Sequence, residues 1–172
     1  MSNSMRDIRL EKLVVNMGIG ANEEKLDNAR ALLKKLTGRE AAYTKAKKRF
    51  PEFGIKKGQI IGAVVTLRDS AASEFLKNAL DANNNTVYTD SIAGNSLNFG
   101  IKEYIYFSGV KYDPKIGMLG INVNASFSRR GLRVETRRRK NSRVGSEHRN
   151  IPREALQAYL EKSFGIKIAE KE

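Results

Sequence analysis

Hydrophobic residues alternate with polar ones along several short segments and recur at helical spacing along three longer ones. Alternation and β-branched runs predict strands, whereas apolar residues at positions i, i+3, i+4 and i+7 predict amphipathic helices. The predicted strands cover residues 8–16, 41–47, 59–68, 97–107 and 120–128, with 129–140 as a candidate return strand around Gly131. The predicted helices run from Asn22 to about Thr37, from Asp69 or Ser70 onward, and from Pro152 to just before Gly165.

Signals at the helix ends support these assignments. Asn22 is a favoured N-cap, and Gly38 suits the left-handed position that ends a helix. Residues 83–96 show little regular pattern and predict a loop. The second helix is expected to turn five residues toward the core: Ala72, Phe75, Leu76, Ala79 and Leu80.

These elements predict an α+β fold, a mostly antiparallel sheet packed on one side by helices. A length of 172 residues fits a single domain, residues 1–172, with enough chain to bury a core. Two features extend this scaffold: a long basic hairpin arm, residues 44–58, and a basic C-terminal segment, residues 129–149.

The segment 120–128 has the clearest alternation in the chain. Its apolar positions are expected to face the core, and its polar, uncharged positions the other side. The sequence leaves open whether that polar side is covered by helices or exposed to a partner. The polar positions are Asn122, Asn124, Ser126 and Ser128.

Positive charge is concentrated in the arm and in the basic segment. The chain carries 32 Lys and Arg against 19 Asp and Glu, a net charge of +13. Residues 45–57 have six cations and one acid, residues 129–149 have nine cations and two acids, and the remainder has a net charge of +1. Like charges crowded in this way repel unless a polyanion neutralises them, which favours nucleic acid as the partner.

The arm also carries an apolar tip around Phe50 and Phe53. A cationic stem with an apolar tip suits contact with a phosphate backbone and with bases or sugars. The alternative is a solvated loop whose aromatic rings fold back on the core. Residues 137–149 are too dense in charge to fold alone, so we expect them to be mobile in the free protein and to order on binding RNA. The alternative there is a basic segment that only raises solubility.

Other function classes find little support in the sequence. The single histidine, His148, lies in an arginine run, and no cysteine is present to form a catalytic pair or a thiolate site. Carboxylates do not cluster at ligand spacing, and Glu23 stands where a dinucleotide fingerprint requires glycine. We therefore expect no enzyme activity, no metal and no cofactor. The absence of an apolar run of about 18 residues or of a signal core predicts a cytoplasmic location and no membrane partner.

Seven motifs, in order, resemble a known family: VVNMGIG, LTGRE, YTKAKK, FGIKKG, IGAVVTLR, NFGIKEYI and VKYDP. Together they are similar to ribosomal protein family five of the large subunit, over residues 5–168. The late RRRK…HR segment resembles the archaeal and eukaryotic branch of that family. The resemblance implies a structural protein that binds 5S rRNA and neighbouring large-subunit rRNA in the central protuberance. It also implies contacts with P-site tRNA, with other central-protuberance ribosomal proteins and with the small-subunit head.

The resemblance also implies roles for individual residues, and the charge pattern adds Arg49, Phe50 and the cations of the basic segment to them. Arg39 stands where the family usually has glutamine; it can still donate to RNA but has no acceptor. The residues expected to contact P-site tRNA are Arg49, Phe50, Phe53, Gly54, Ile55, Lys56 and Lys57. Those expected to bind rRNA, including cations of the basic segment, are Asn16, Arg39, Thr44, Lys45, Lys47, Lys48, Thr66, Arg68, Arg137, Arg138, Arg139, Lys140, Arg143 and Arg149.

Two alternatives belong to other function classes. An RNA-acting enzyme would need a cofactor loop or an acid–base pair, and the sequence shows neither. The other alternative is a general RNA- or DNA-binding architectural protein, which in its DNA-compacting form would prefer duplex DNA over structured RNA. The predicted helices are near neutral, which disfavours reading of a DNA major groove by a recognition helix.

Overall fold

The computed structural model describes residues 3–20 and 22–169. The strands are Ile8–Gly18 (β1), Ala42–Lys45 (β2), Ile60–Leu67 (β3), Thr86–Tyr88 (β4), Ile92–Ala93 (β5), Ser96–Ile101 (β6), Ile121–Arg129 (β7) and Lys167–Ala169 (β8). The helices are Glu23–Thr37 (α1), Asp69–Ala82 (α2), Arg133–Thr136 (α3), Ser146–Arg149 (α4) and Arg153–Phe164 (α5).

Six of these strands form one antiparallel sheet in the order β2-β3-β1-β7-β6-β5. The remaining two, β4 and β8, pair in parallel as a separate small sheet. The α+β class with an antiparallel sheet and helices is thus confirmed.

The chain divides into two compact units. The first unit comprises Met1–Leu13, Arg68–Asn98 and Ala125–Glu172, and the second comprises Val14–Leu67 and Phe99–Asn124. The single-domain organisation expected from length stays a prediction.

In the second unit, α1 packs against β3. The Asn22 side chain accepts a hydrogen bond from the Lys25 N–H at 3.2 Å, and Gly38 ends the helix with a φ of 66°. The helix buries Leu26, Ala29, Leu32 and Leu33, and the strands beneath bury Val15, Met17, Ala63, Val65 and Val123. The predicted limits of α1 and their physical signals are confirmed.

In the first unit, α2 buries all five residues expected to face the core: Ala72, Phe75, Leu76, Ala79 and Leu80. Leu156 and Leu160 of α5 are also buried, and the ring of Phe127 meets that of Tyr159 edge to face at 5.9 Å. Gly165 ends α5 with a φ of 65°, as predicted.

Four predictions of local structure were wrong. Residues 129–140 form a turn and α3 rather than a return strand, because β7 already pairs with β1 on one edge and β6 on the other. Residues 83–96 contain β4, β5 and the start of β6 rather than a loop. The strand predicted at 97–107 ends at Ile101, after which Tyr104–Tyr106 form a 3₁₀ turn with the Tyr104 side chain buried.

The fourth error concerns the start of α2. Arg68 occupies the cap position and gives no side-chain hydrogen bond to the helix, while Asp69 is the first helical residue and adopts a φ of 57°. Neither Asp69 nor Ser70 therefore acts as the predicted cap.

Candidate nucleic-acid interface

The second unit presents one side of its strands away from the core. Val15 and Met17 of β1 are fully buried, so Asn16 between them faces the opposite side. The same alternation applies on each neighbouring strand. We call this surface the outer face, and its members are Asn16, Thr44, Gly62, Val64, Thr66, Gly100, Asn122 and Asn124.

The outer face resolves the question left open by the segment 120–128. Ile121 and Val123 are buried, whereas Asn122 is exposed and Asn124 is half-buried. Asn122 and Asn124 therefore lie opposite the core and present amide groups that both donate and accept hydrogen bonds. Further along the strand the prediction fails, because Ser126 is half-buried and Ser128 is buried.

Two glycines keep the outer face flat. A Cβ on Gly62 would lie within 3.0 Å of both the Met17 carbonyl oxygen and Thr44 Oγ1, and a Cβ on Gly100 would lie 3.2 Å from Asn122 Oδ1. Neither position was predicted from the sequence, although both glycines lie inside predicted strands, where glycine marks close approach of another backbone.

A register shift interrupts the pairing of β2 with β3 at Lys45. Thr44 pairs with Gly62, but Lys45 pairs with Ile60, so β3 contains one extra residue, Ile61, at this point. An extra residue of this kind bends the strand that carries it, here β3, where the arm begins. Lys45 is the last residue of β2 and is exposed, next along the chain to Thr44 of the outer face.

A cluster on α1 holds β2 in place. The Tyr43 hydroxyl donates to Asp27 Oδ1 at 2.6 Å, and the Arg30 guanidinium lies 5.0 Å from the centre of the Tyr43 ring. The Glu40 carboxylate forms two ion pairs. Its Oε1 lies 2.9 Å from Lys34 Nζ, and its Oε2 lies 3.4 Å from Arg30 Nη2. The hydrogen bond from Lys34, followed by its charge and that of Arg30, lowers the pKa of Glu40. These contacts fix the base of the arm.

The arm itself is an ordered pair of turns. The Ala46 N–H donates to the Gln59 carbonyl at 2.8 Å, and the Gly58 N–H donates to the Ala46 carbonyl at 2.9 Å. Further out, Phe50 and Ile55 exchange two backbone hydrogen bonds of 2.9 and 3.0 Å. The chain turns between them through a 3₁₀ turn at Pro51–Phe53.

The aromatic residues of the tip point away from the core. Phe50 is 50% exposed and Phe53 is 71% exposed, so neither ring folds back as the alternative interpretation required. Gly54 follows the 3₁₀ turn with a φ of 63°, a conformation that glycine adopts without a steric penalty. Ile55 is half-buried.

The cations of the arm have no ion-pair partner within 4.0 Å among the described residues. All of them are exposed. Their charge is therefore available to an external polyanion. The residues are Lys45, Lys47, Lys48, Arg49, Lys56 and Lys57.

The structure brings together only part of the predicted rRNA-binding set. Asn16, Thr44 and Thr66 share the outer face, and Lys45 follows Thr44 as the exposed last residue of β2. Arg39 is exposed in the loop between α1 and β2, outside the strands of this face, and Arg68 belongs to the first unit.

The basic segment 129–149, in the first unit, makes several contacts of its own. Arg129 Nη1 donates to the Glu147 carbonyl at 2.8 Å, and Arg149 Nη2 lies 3.3 Å from Glu135 Oε1. Arg137 Nε donates to the Lys140 carbonyl at 2.8 Å. Other cations of the segment are exposed: Arg138, Arg139 and Arg143. The expected mobility of residues 137–149 in the free protein stays a prediction.

Two further properties concern the described residues alone. Over residues 3–20 and 22–169, no group of three His, Asp or Glu side chains is placed to hold a metal ion. Within the same ranges, no helix has the length and apolar character needed to cross a bilayer.

Comparison with known proteins matches both parts of the chain. A family model described as "Ribosomal protein L5" matches residues 3–56, and a second model, described as the C-terminus of the same ribosomal family, matches residues 60–167. Three archaeal relatives carry the name "Large ribosomal subunit protein uL5". The protein of Pyrobaculum aerophilum is 46% identical over 166 residues, which is 95% of this chain and 92% of the relative.

The two other relatives are similar over almost their full length. The protein of Sulfurisphaera tokodaii is 41% identical and the match covers 98% of this chain and 96% of the relative. That of Nanoarchaeum equitans is 41% identical, with 98% of this chain and 99% of the relative covered. The chain belongs to the L5 family of large-ribosomal-subunit proteins.

Proposed function

We propose that the chain is a structural protein of the large ribosomal subunit that binds 5S rRNA with its outer face and P-site tRNA with the tip of its arm. Family membership supports the coarser part of this proposal, a structural role in the cytoplasmic ribosome and in translation. The finer part concerns which RNA is bound and by which residues.

The observation that carries the proposal is the chemical contrast within the second unit. The outer face has amides, hydroxyls and small residues, whereas the arm beside it has six exposed cations. Amide and hydroxyl groups at close range suit recognition of RNA edges and 2′-hydroxyls, while cations suit the phosphate backbone.

The arm supports a second contact. Its two exposed phenylalanines form an apolar tip, and base or sugar surfaces stack well on such rings. We assign to this tip the contact with P-site tRNA, with Lys56 and Lys57 close to the phosphates. The basic segment of the first unit then contacts large-subunit rRNA. Other central-protuberance proteins and the small-subunit head are further proposed partners.

Binding of 5S rRNA at several salt concentrations tests the proposal. Replacing Lys45, Lys47 and Lys48 with alanine should reduce the slope of log affinity against log salt by about 2 to 3, at roughly 0.7–0.9 for each phosphate that is no longer neutralised. The matched control replaces Lys77, Lys162 and Lys167, three exposed lysines of the first unit, and should leave the slope almost unchanged.

Competition separates the proposed function from the alternatives. Excess unrelated RNA hairpin should displace 5S rRNA poorly, and excess duplex DNA should displace it no better. Equal competition by duplex DNA would instead favour a general architectural protein. An equal loss of slope in the control triple variant would contradict the assignment of phosphate contacts to the arm.

A further inference from the structure

The first unit contains a cleft of about 560 Å³. Arg68 and Arg133 in its lining are already expected near rRNA, but the proposed function gives the cleft itself no role. It lies between the start of β1, the N-terminus of α2, the end of β7 and α3. Its charged and polar lining includes three guanidinium groups, two carboxylates and one buried hydroxyl. These are Arg9, Arg68, Arg133, Glu11, Asp69 and Ser128.

Ser128 is unusual among the residues that line the cleft. Its side chain is 2% exposed, and its Oγ has no hydrogen-bond partner in the described part of the chain. A buried hydroxyl without a partner destabilises a fold relative to an alanine of similar shape. A serine at this position therefore has a physical cost that a ligand in the cleft would offset.

The N-terminus of α2 reaches the same cleft. This helix has 14 residues, and the residue at its cap position, Arg68, makes no side-chain hydrogen bond to the first turn. The first N–H groups of a helix lack intrahelical partners and carry partial positive charge, so they attract anions. The helix end and the serine hydroxyl are two independent sets of donors at one cleft.

The charges of the cleft favour an anion over a cation. None of its three arginines has an ion-pair partner within 4.0 Å in the described ranges, and they outnumber the two carboxylates. Arginine also has the planar donor geometry that matches phosphate oxygens.

We propose that this cleft binds a phosphate group, held by the Ser128 hydroxyl, the first N–H groups of α2, and the guanidiniums of Arg68 and Arg133. The chemistry is shared by a phosphodiester of RNA and by a free phosphate. An RNA phosphodiester is the source we expect, and to that extent the inference rests on the proposed function. Glu11 lies in the same cleft and weakens anion binding.

The test uses the full chain and two readouts, affinity for 5S rRNA and changes in backbone amide resonances on titration with inorganic phosphate. Ser128→Ala should lower RNA affinity about tenfold, as expected for loss of a hydrogen bond to a charged group. It should also leave the melting temperature unchanged or raised, because an unpaired buried hydroxyl is removed. Ser163→Ala, at an exposed serine on α5, is the matched control and should change neither.

Charge variants test the sign of the ligand. Arg133→Ala should weaken phosphate binding, Glu11→Gln should strengthen it, and Lys162→Ala on α5 should have little effect. In the wild type, phosphate should shift the amide resonances of residues 69–71. Weaker phosphate binding by Glu11→Gln would overturn the proposal, as would a lower melting temperature of Ser128→Ala with unchanged RNA affinity.

The two readouts keep the two proposals separate. If the wild type binds phosphate at residues 69–71 but not 5S rRNA, the proposed function fails and the cleft stands as a site for free phosphate. If the wild type binds 5S rRNA, shows no phosphate-dependent shifts, and Ser128→Ala binds RNA equally well, the cleft proposal fails and the proposed function stands.

Discussion

Gly62 on β3 offers the sharpest test of how the outer face is built. An alanine methyl at this position would lie within 3.0 Å of the Met17 carbonyl oxygen on β1 and 2.9 Å from Thr44 Oγ1 on β2. The Met17 carbonyl belongs to the backbone of a central strand and cannot move without shifting β1. Gly62→Ala should therefore force β1 and β3 apart.

The expected magnitude follows from two opposing effects. Gly62 is outside the left-handed region, so alanine would by itself stabilise the protein by about 0.4–1 kcal/mol through the unfolded chain. Overpacking against a fixed backbone costs about 1–3 kcal/mol. We expect Gly62→Ala to lower the free energy of unfolding by about 1–2 kcal/mol, and to weaken 5S rRNA binding because Asn16 adjoins the displaced Met17.

Urea unfolding followed by circular dichroism measures the loss of free energy of unfolding. A filter-binding titration measures the loss of affinity for 5S rRNA. Gly18→Ala, at the end of β1, is the matched control, since its Cβ would meet nothing within 4 Å and its φ lies outside the left-handed region. Adding Thr44→Ala to Gly62→Ala should restore only part of the stability, because the Met17 carbonyl remains. A Gly62→Ala protein as stable as the wild type would refute the reasoning.

Two further predictions concern the arm and its base. Replacing Phe50 and Phe53 with alanine should leave the melting temperature and 5S rRNA affinity nearly unchanged, since both rings are exposed, but should weaken P-site tRNA binding to subunits carrying the variant, at roughly 1–3 kcal/mol per stacked base. Equal tRNA binding by variant and wild-type subunits would contradict the tip assignment. Lys34 and Arg30 lower the pKa of Glu40 in the folded state, so Glu40 contributes stability above its unfolded pKa that is lost as pH falls through its folded pKa. Melting temperatures of Glu40→Gln and wild type should therefore differ near neutral pH and converge in acid; a constant difference would argue against the ion pairs as its cause.

Sequence reasoning succeeded where the signals were local. Asn22 and Gly38 fix the ends of α1 through contacts within one turn of the helix, and the apolar spacing of α2 identifies its buried face. The strand β7 is evident from its strict alternation. Each of these signals lies within a window of about 15 residues, which is the range over which periodicity is informative.

Non-local pairing was beyond the same reasoning. The strands β4 and β8 have three residues each and pair in parallel across about 80 residues of chain. Three residues are too few to show the alternation of apolar and polar positions that identifies a strand in the sequence. The return strand predicted at 129–140 failed for a related reason, because the edges of β7 were already occupied. Whether Asn122 faces helices or open space also depends on the whole sheet.

Within the candidate interface, the sequence composition predicted where the cations lie along the chain. It did not predict the outer face next to which the arm lies. The six cations of the arm are evident from the sequence, whereas the extra residue at Ile61, which bends β3 where the arm begins, is visible only in the strand register. Asn16 and Thr66 entered the predicted site through the family resemblance alone. The structure adds a physical reason for grouping them with Thr44, since all three share one side of adjoining strands.

On the proposed function, the separation of charge from the outer face has a physical consequence. Attraction between cations and phosphates acts over distance and is largely independent of nucleotide sequence, whereas amide and hydroxyl contacts require close approach and discriminate among RNA surfaces. Cations spread over the outer face would hold any RNA at contact distance, and the small energies of Asn16 and Asn122 would then decide little. Because the cations lie on the arm, an RNA of the wrong shape can be attracted to the arm without coming within hydrogen-bonding distance of the Asn16 and Asn122 amides. Gly62 and Gly100 complete this arrangement, because they allow a fitting RNA surface to approach the sheet closely enough for those amides to select it.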